Sequence, residues 1–294
     1  MAGAILSVAS WPWLFAVNLP LGALVLACGG FLGNRDGIRR PLNVRALLAN
    51  TAMFILFFAG AEMVASAPVS GAALIAASIL CLVLLLRLER GARSPIVPTD
   101  LLAEPGFRIA AIASVACFTG QMLAYVALPF YLQHTMGMTP ARTGLYMMAW
   151  PLATIVAAPI AGRLADRVKT AWLCTTGGGV LSLGLLLAAL LPAGDNAIGF
   201  LVGTTLAGIG FGLFQTPNNR ILLLSAPKAR SGAAGAMQGT ARLMGQTMGA
   251  ISMSIIFALA PLADAPTVAL AIAGLCAAVS ALVSLSRARF EAAG

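Results

Sequence analysis

The chain has 294 residues, of which 60% are hydrophobic and 9% charged, with a mean hydropathy of +0.94. A soluble domain carries roughly 25% charged residues, so this composition excludes a chain that covers its own surface with polar groups. The net charge of +9 would suit nucleic acid or an anionic surface if it clustered on a soluble face, but the basic residues fall between long apolar runs.

Length is therefore read in bilayer spans, each of about 20 apolar residues for a hydrocarbon core of about 30 Å. Nine runs qualify, at 12–34, 46–66, 70–87, 109–132, 143–161, 171–192, 197–219, 233–260 and 266–286. The first overlaps SWPWLFAVNLPLGALVLACGG (10–30), and no Lys or Arg precedes it, which does not fit the positive n-region of a secretion signal. VLACGG loosely resembles a bacterial lipobox ending at Cys28, and the same missing charge argues against it. The second span carries Glu62 near its outer end, where it would need desolvation to act as a proton carrier.

In the fourth span Gln121 and Tyr125 are four residues apart on one face, with Pro129 a turn further on. An amide and a phenol beside apolar walls suit binding of an amphipathic compound, and equally suit hydrogen bonds to neighbouring helices. His134, the single histidine, falls in a loop after YLQ. GRLADRV (162–168) joins the fifth and sixth spans in a short turn, with Gly162 read as allowing close helix approach and Arg163 and Lys169 flanking Asp166 and Arg167.

The seventh span contains Gly208-x-x-x-Gly212 and the eighth Gly245-x-x-x-Gly249, spacings that permit close helix crossing. In the eighth, Gln238, Arg242 and Gln246 recur every fourth residue on one face, bordered by Gly235, Gly239, Gly245 and Gly249. A charge inside a span costs at least roughly 2.5 kcal/mol, so Arg242 needs a partner or a route to water. It either snorkels to the interface or meets a polar group of another bundle and helps set conformational state. Pro20, Pro129, Pro151, Pro159 and Pro217 are candidate kinks.

Alternate loops face opposite sides, and 16 of the 18 basic residues fall on one side. Arg142 alone lies opposite and Arg242 falls within a span. By the positive-inside rule this supports nine spans and a cytoplasmic C-terminus, and makes the basic balance topological, with no nucleic-acid partner. The five cysteines sit in apolar runs with no CxxC or Cys/His cluster, so they read as small buried residues with neither disulfide nor metal. There is no GxxxxGK[ST] and no G-x-S-x-G, which leaves an ion gradient as the driving force and no enzymatic site.

WPWLFAVNLPLG (11–22) resembles the tryptophan-rich opening of the sixth helix of fourteen-span drug:proton antiporters of the major facilitator superfamily. SPIVPTDLLAEPGFRIA (94–110) resembles the loop into that family's ninth helix, and LPFYLQHTMGMTPARTGLYMMAWP (128–151) the stretch joining its ninth and tenth. GRLADRV is similar to the second copy of the superfamily's cytoplasmic motif, matching at Gly162, Asp166 and Arg167. GIGFGLFQTPNN (208–219) and SGAAGAMQGTARLMGQTMGAI (231–251) are like its twelfth and thirteenth helices.

The resemblance implies an all-α, polytopic membrane protein with the major facilitator fold and an incomplete N-terminal bundle. Residues 1–34 would be the last helix of that bundle, 35–108 two linker helices with their loops, and 109–294 a six-helix C-terminal bundle. It further implies proton-coupled efflux of hydrophobic or cationic drugs across a bacterial inner membrane, with no cofactor beyond the proton gradient. Gln121, Tyr125, Pro129, Gln238, Arg242 and Gln246 would line the substrate cavity, and Gly162, Asp166 and Arg167 would form a cytoplasmic gate. The partners expected are the bilayer, small amphipathic substrates and a missing N-terminal half, without which the chain is expected to be unstable and to confer no resistance. Two alternatives stand: export of a specific host metabolite or antibiotic, and a truncated, transport-incompetent protein or half-transporter subunit.

Overall fold

The computed structural model describes residue 16 and residues 18–29, 43–64, 66–89, 99–190, 197–226 and 230–293. Every described element is helical, as hydrocarbon demands: a backbone deprived of water must satisfy its own N–H and C=O groups. The helices are α1 (Asn18–Gly29), α2 (Val44–Met63), α3 (Pro68–Leu88), α4 (Thr99–Ala103), α5 (Pro105–Phe130), α6 (Pro140–Met147), α7 (Ala149–Leu164), α8 (Thr170–Leu190), α9 (Ala197–Leu224), α10 (Ser231–Leu259) and α11 (Ala265–Ala293). Eight stretches among the described residues are long and apolar enough to cross a membrane, and they coincide with the second to ninth spans read from the sequence. Of the first span only residues 16 and 18–29 are described; the remainder of 12–34 lies outside the described residues.

Side-chain caps fix several starts: Asn43 accepts from Ala46 N at 3.3 Å, Thr139 from Arg142 N at 3.4 Å, and Glu104 from Gly106 N at 3.0 Å and from Phe107 N. Helices α2 and α3 form a hairpin, closed where Gly60 meets the backbone of Gly71 and where Ser78 Oγ donates to Met53 O at 2.9 Å. The remaining long helices pack as a bundle in the lateral order α10, α5, α11, α8, α9, α7.

Several sequence expectations are corrected. The fifth span stands as one stretch, Pro140–Leu164, but its helix is interrupted at Met148, between α6 and α7 and just ahead of Pro151, which supplies no N–H to the broken turn. His134 is not in a loop: α5 continues through a π-helical turn, Tyr131–Thr135, where the imidazole stacks on Phe130 at 5.1 Å. Pro129 lies two residues before the start of that turn and cannot bond the Tyr125 carbonyl. Arg220 and Arg287, read as loop residues, lie inside α9 and α11, and Arg287 is buried with Nη2 3.8 Å from Cys174 Sγ. All five cysteines are free thiols, but only Cys117 and Cys174 are buried; Cys81 and Cys276 are half-buried and Cys28 is exposed.

Candidate functional site

Four residues of α5, Phe118, Gln121, Tyr125 and Pro129, share one face by their spacing. Gln121 is buried and Tyr125 half-buried, one turn apart on that face. Two rings of that face reach α7 and α9: Tyr125 meets Trp150 of α7 edge-on at 5.1 Å, Trp150 lies 6.3 Å from Phe211 of α9, and Phe211 meets Phe118 edge-on at 5.7 Å. Edge-on pairs set the positive rim of one ring against the negative face of another and add about 0.5–1.5 kcal/mol each beyond their burial.

Two buried polar atoms of α7 and α9 lack a partner among the described residues, Trp150 Nε1 and, about ten residues along α9 from the Gly208 that Trp150 faces, Asn218 Oδ1. Asn218 otherwise ties α9 to α5, its Nδ2 donating to Ser114 Oγ at 2.7 Å and to Ala110 O at 3.2 Å. Thr154 Oγ1 does the same between α7 and α9, within 3.0 Å of both Trp150 O and Gly208 O. Reasoning from sequence named neither Trp150 nor Asn218 as a functional residue. An amide inside an apolar run was a usable signal for Asn218, whereas Trp150 gave none, since an aromatic in a span is ordinary.

The two glycine spacings are close crossings. A Cβ on Gly208 or Gly212 would strike Trp150 O and Ala157 Cβ of α7, and one on Gly245 or Gly249 would strike Val115 O and Thr119 O of α5. The glycines bordering the polar stripe of α10 therefore serve two faces. Gly245 and Gly249 are packed on α5, while Gly235 and Gly239 face open space with nothing within 4 Å of an added Cβ. Gln238 and Gln246 are half-buried and Arg242 is exposed, its guanidinium 5.5 Å from the centre of the Phe118 ring. Among the described residues no carboxylate pairs with it.

At the turn between α7 and α8, Asp166 Oδ1 accepts from Arg220 Nη1 of α9 at 2.6 Å. The sequence placed Asp166 beside Arg167, Arg163 and Lys169, but the partner comes from another helix, and Arg167 makes no described ion pair. Gly162 does not mark a close approach, because an added Cβ would meet only Thr216 Cγ2 at an ordinary 3.8 Å. The two charged side chains retain 46% and 64% exposure, which limits their pairing to about 0.2–1 kcal/mol. A double-mutant cycle of Asp166→Asn and Arg220→Gln on unfolding free energy is expected to return a coupling in that range. A coupling near zero would mean that the pair adds nothing to stability.

No group of three or more His, Cys, Asp or Glu side chains able to hold a metal occurs among the described residues. A shallow apolar groove of about 270 Å3 lies along α9, lined by Ile198, Leu201, Val202, Thr205 and Leu206, and contains none of the residues singled out from sequence.

Comparison with known proteins gives a match to the family described as Major Facilitator Superfamily over residues 1–250 and, in a second alignment, 110–291. Among curated relatives, a transporter of Escherichia coli K12, YebQ, itself uncharacterized, is 40% identical over 263 residues, covering 87% of this chain and 57% of the relative. The riboflavin transporter RibZ of Clostridioides difficile is 28% identical over 261 residues, covering 88% and 57%. The lincomycin resistance protein of Streptomyces lincolnensis is 29% identical over 315 residues, covering 100% and 63%. The chain thus spans less than two thirds of the length of each of these relatives.

Proposed function

Because this chain belongs to the Major Facilitator Superfamily and is a multi-pass membrane protein, we propose that it supplies one side of the translocation path of a proton-coupled exporter of small amphipathic compounds. In this reading residues 109–294 form the C-terminal bundle, 35–108 the linker helices, and 1–34 the last helix of an N-terminal bundle that completes the path. The transporter sits in a bacterial inner membrane with the Asp166–Arg220 pair at the cytoplasmic end, where it helps hold one gate. Relatives named for lincomycin and for riboflavin show that kinship leaves the compound open.

The observation that carries the reading is the polar stripe of α10. Gln238, Arg242 and Gln246 lie on a membrane-spanning helix, and among the described residues Arg242 is left exposed. Lipid is a poor neighbour for such a face, so it fits a water-filled path or a second bundle.

Deletion of the gene in its own organism tests this. Accumulation of fluorescent amphipathic dyes is expected to rise, and a protonophore added to the parent strain is expected to erase the difference. Unchanged accumulation of every dye would count against export. A difference that survives the protonophore and disappears on depletion of ATP would count against proton coupling.

A further inference from the structure

Arg242 lies eleven residues into α10, about 16 Å from the start of that helix at 1.5 Å per residue. Its guanidinium rests over Phe118, which is about 20 Å along the 31-residue stretch Pro105–Thr135 and so close to mid-span. The side chain therefore crosses sideways to α5 at membrane depth, the opposite of snorkelling to the nearer interface. None of the nine acidic residues of the sequence falls inside the six spanning stretches from residue 105 onward. The cation is accordingly not neutralised from within these helices.

Building on the exporter reading, we infer that Arg242 and the Phe118 ring beneath it form the binding position for the anionic group of a planar aromatic compound. The chemistry is one-sided. A guanidinium offers five N–H donors and no acceptor, and with its plane near an aromatic ring its edge stays free for a carboxylate or sulfonate, which it matches in a two-point contact. Gln238 and Gln246, one turn to either side, can donate from their amides. The missing side chains of Gly235 and Gly239 keep the space before the stripe open. A cationic compound is repelled by Arg242, so the class selected is opposite in charge to the cationic drugs that the resemblance implied.

Three dyes decide the matter. Fluorescein is anionic, rhodamine 6G carries the same xanthene ring with a positive charge, and Nile red is neutral. Their binding to the purified full chain in mild detergent is read by fluorescence anisotropy. Fluorescein is expected to bind about tenfold tighter than rhodamine 6G, and Arg242→Gln to weaken fluorescein about tenfold while Nile red stays within about twofold. Arg242→Lys, which keeps the charge and loses the planar fork, is expected to restore part of the fluorescein affinity.

Rhodamine 6G binding as tightly as fluorescein, fluorescein indifferent to Arg242→Gln, or no dye binding at all would each overturn the assignment. Equal weakening of all three dyes by Arg242→Gln would overturn it too, and would mark Arg242 as the partner of a carboxylate on another membrane helix. The gene-deletion result stands apart: export that ignores dye charge sinks this assignment alone, while absence of export sinks the transporter reading.

Discussion

Gly210→Val is expected to destabilise the bundle by about 3 kcal/mol or more, at the upper end of what overpacking usually costs. A Cβ at Gly210 would collide with Leu181 N and with Gly177 O at 2.6 Å, both backbone atoms of α8 that no rotamer change can move aside. The seam is reciprocal. Gly177 of α8 would meet Phe214 N at 2.5 Å, Gly184 would meet Ala207 N at 2.5 Å, and Gly203 of α9 would meet Gly184 O at 2.9 Å. To admit one isopropyl group the two helices must separate along their whole contact, giving up dispersion contacts that lipid tails replace only in part. Gly179→Val on α8, the partner helix, is the control, because nothing lies within 4 Å of its Cβ position. Unfolding of the detergent-solubilised protein, followed by size-exclusion after graded heating, reads both variants. Equal stability of the two would show that α8 and α9 do not cross at these glycines.

That seam also shows where the sequence was readable and where it was not. The search for Gly-x-x-x-Gly found Gly208/Gly212 and Gly245/Gly249, and both are close crossings. It passed over the α8–α9 seam because its glycines are spaced by seven, Gly177 to Gly184 and Gly203 to Gly210. A seven-residue spacing also returns to nearly the same side of a helix, drifting only about 20°. The spans themselves were legible because twenty apolar residues have few other uses, and eight of nine coincide with described helices.

Partners were less legible than elements. Asp166 stands in sequence among Arg163, Arg167 and Lys169, yet its mate is Arg220, 54 residues away, because the turn after α7 is brought beside the end of α9. Gln121 and Tyr125 were rightly read as sharing a face, but which way that face points depends on neighbours. Trp150 and Phe211, set by α7 and α9, fill the space in front of it. For Arg242 the sequence left snorkelling and an inward role open, and only the neighbouring helix shows that the guanidinium lies 5.5 Å from the centre of the Phe118 ring.

Trp150→Ala is expected to cost about 3–5 kcal/mol, the range for deleting a fully buried large aromatic. Trp150→Phe should cost much less, about 1 kcal/mol, since the indole N–H it removes has no partner among the described residues and its loss breaks no described hydrogen bond. The location of the damage matters as much as its size. Helices α8 and α9 touch backbone to backbone, whereas α5 is held off α7 and α9 by Tyr125, Trp150, Phe211 and Phe118. Removing the indole therefore opens the wide side of the bundle and leaves the tight seam intact. Amide hydrogen exchange should rise in α5 around residues 121–128 and stay slow in α8 around 177–184. Uniform acceleration in both helices would mean that the bundle opens as one unit. Exchange confined to α5 would identify the ring-filled gap as the compliant side, where the packing of a few rotatable side chains, rather than a backbone crossing, must change when that helix moves.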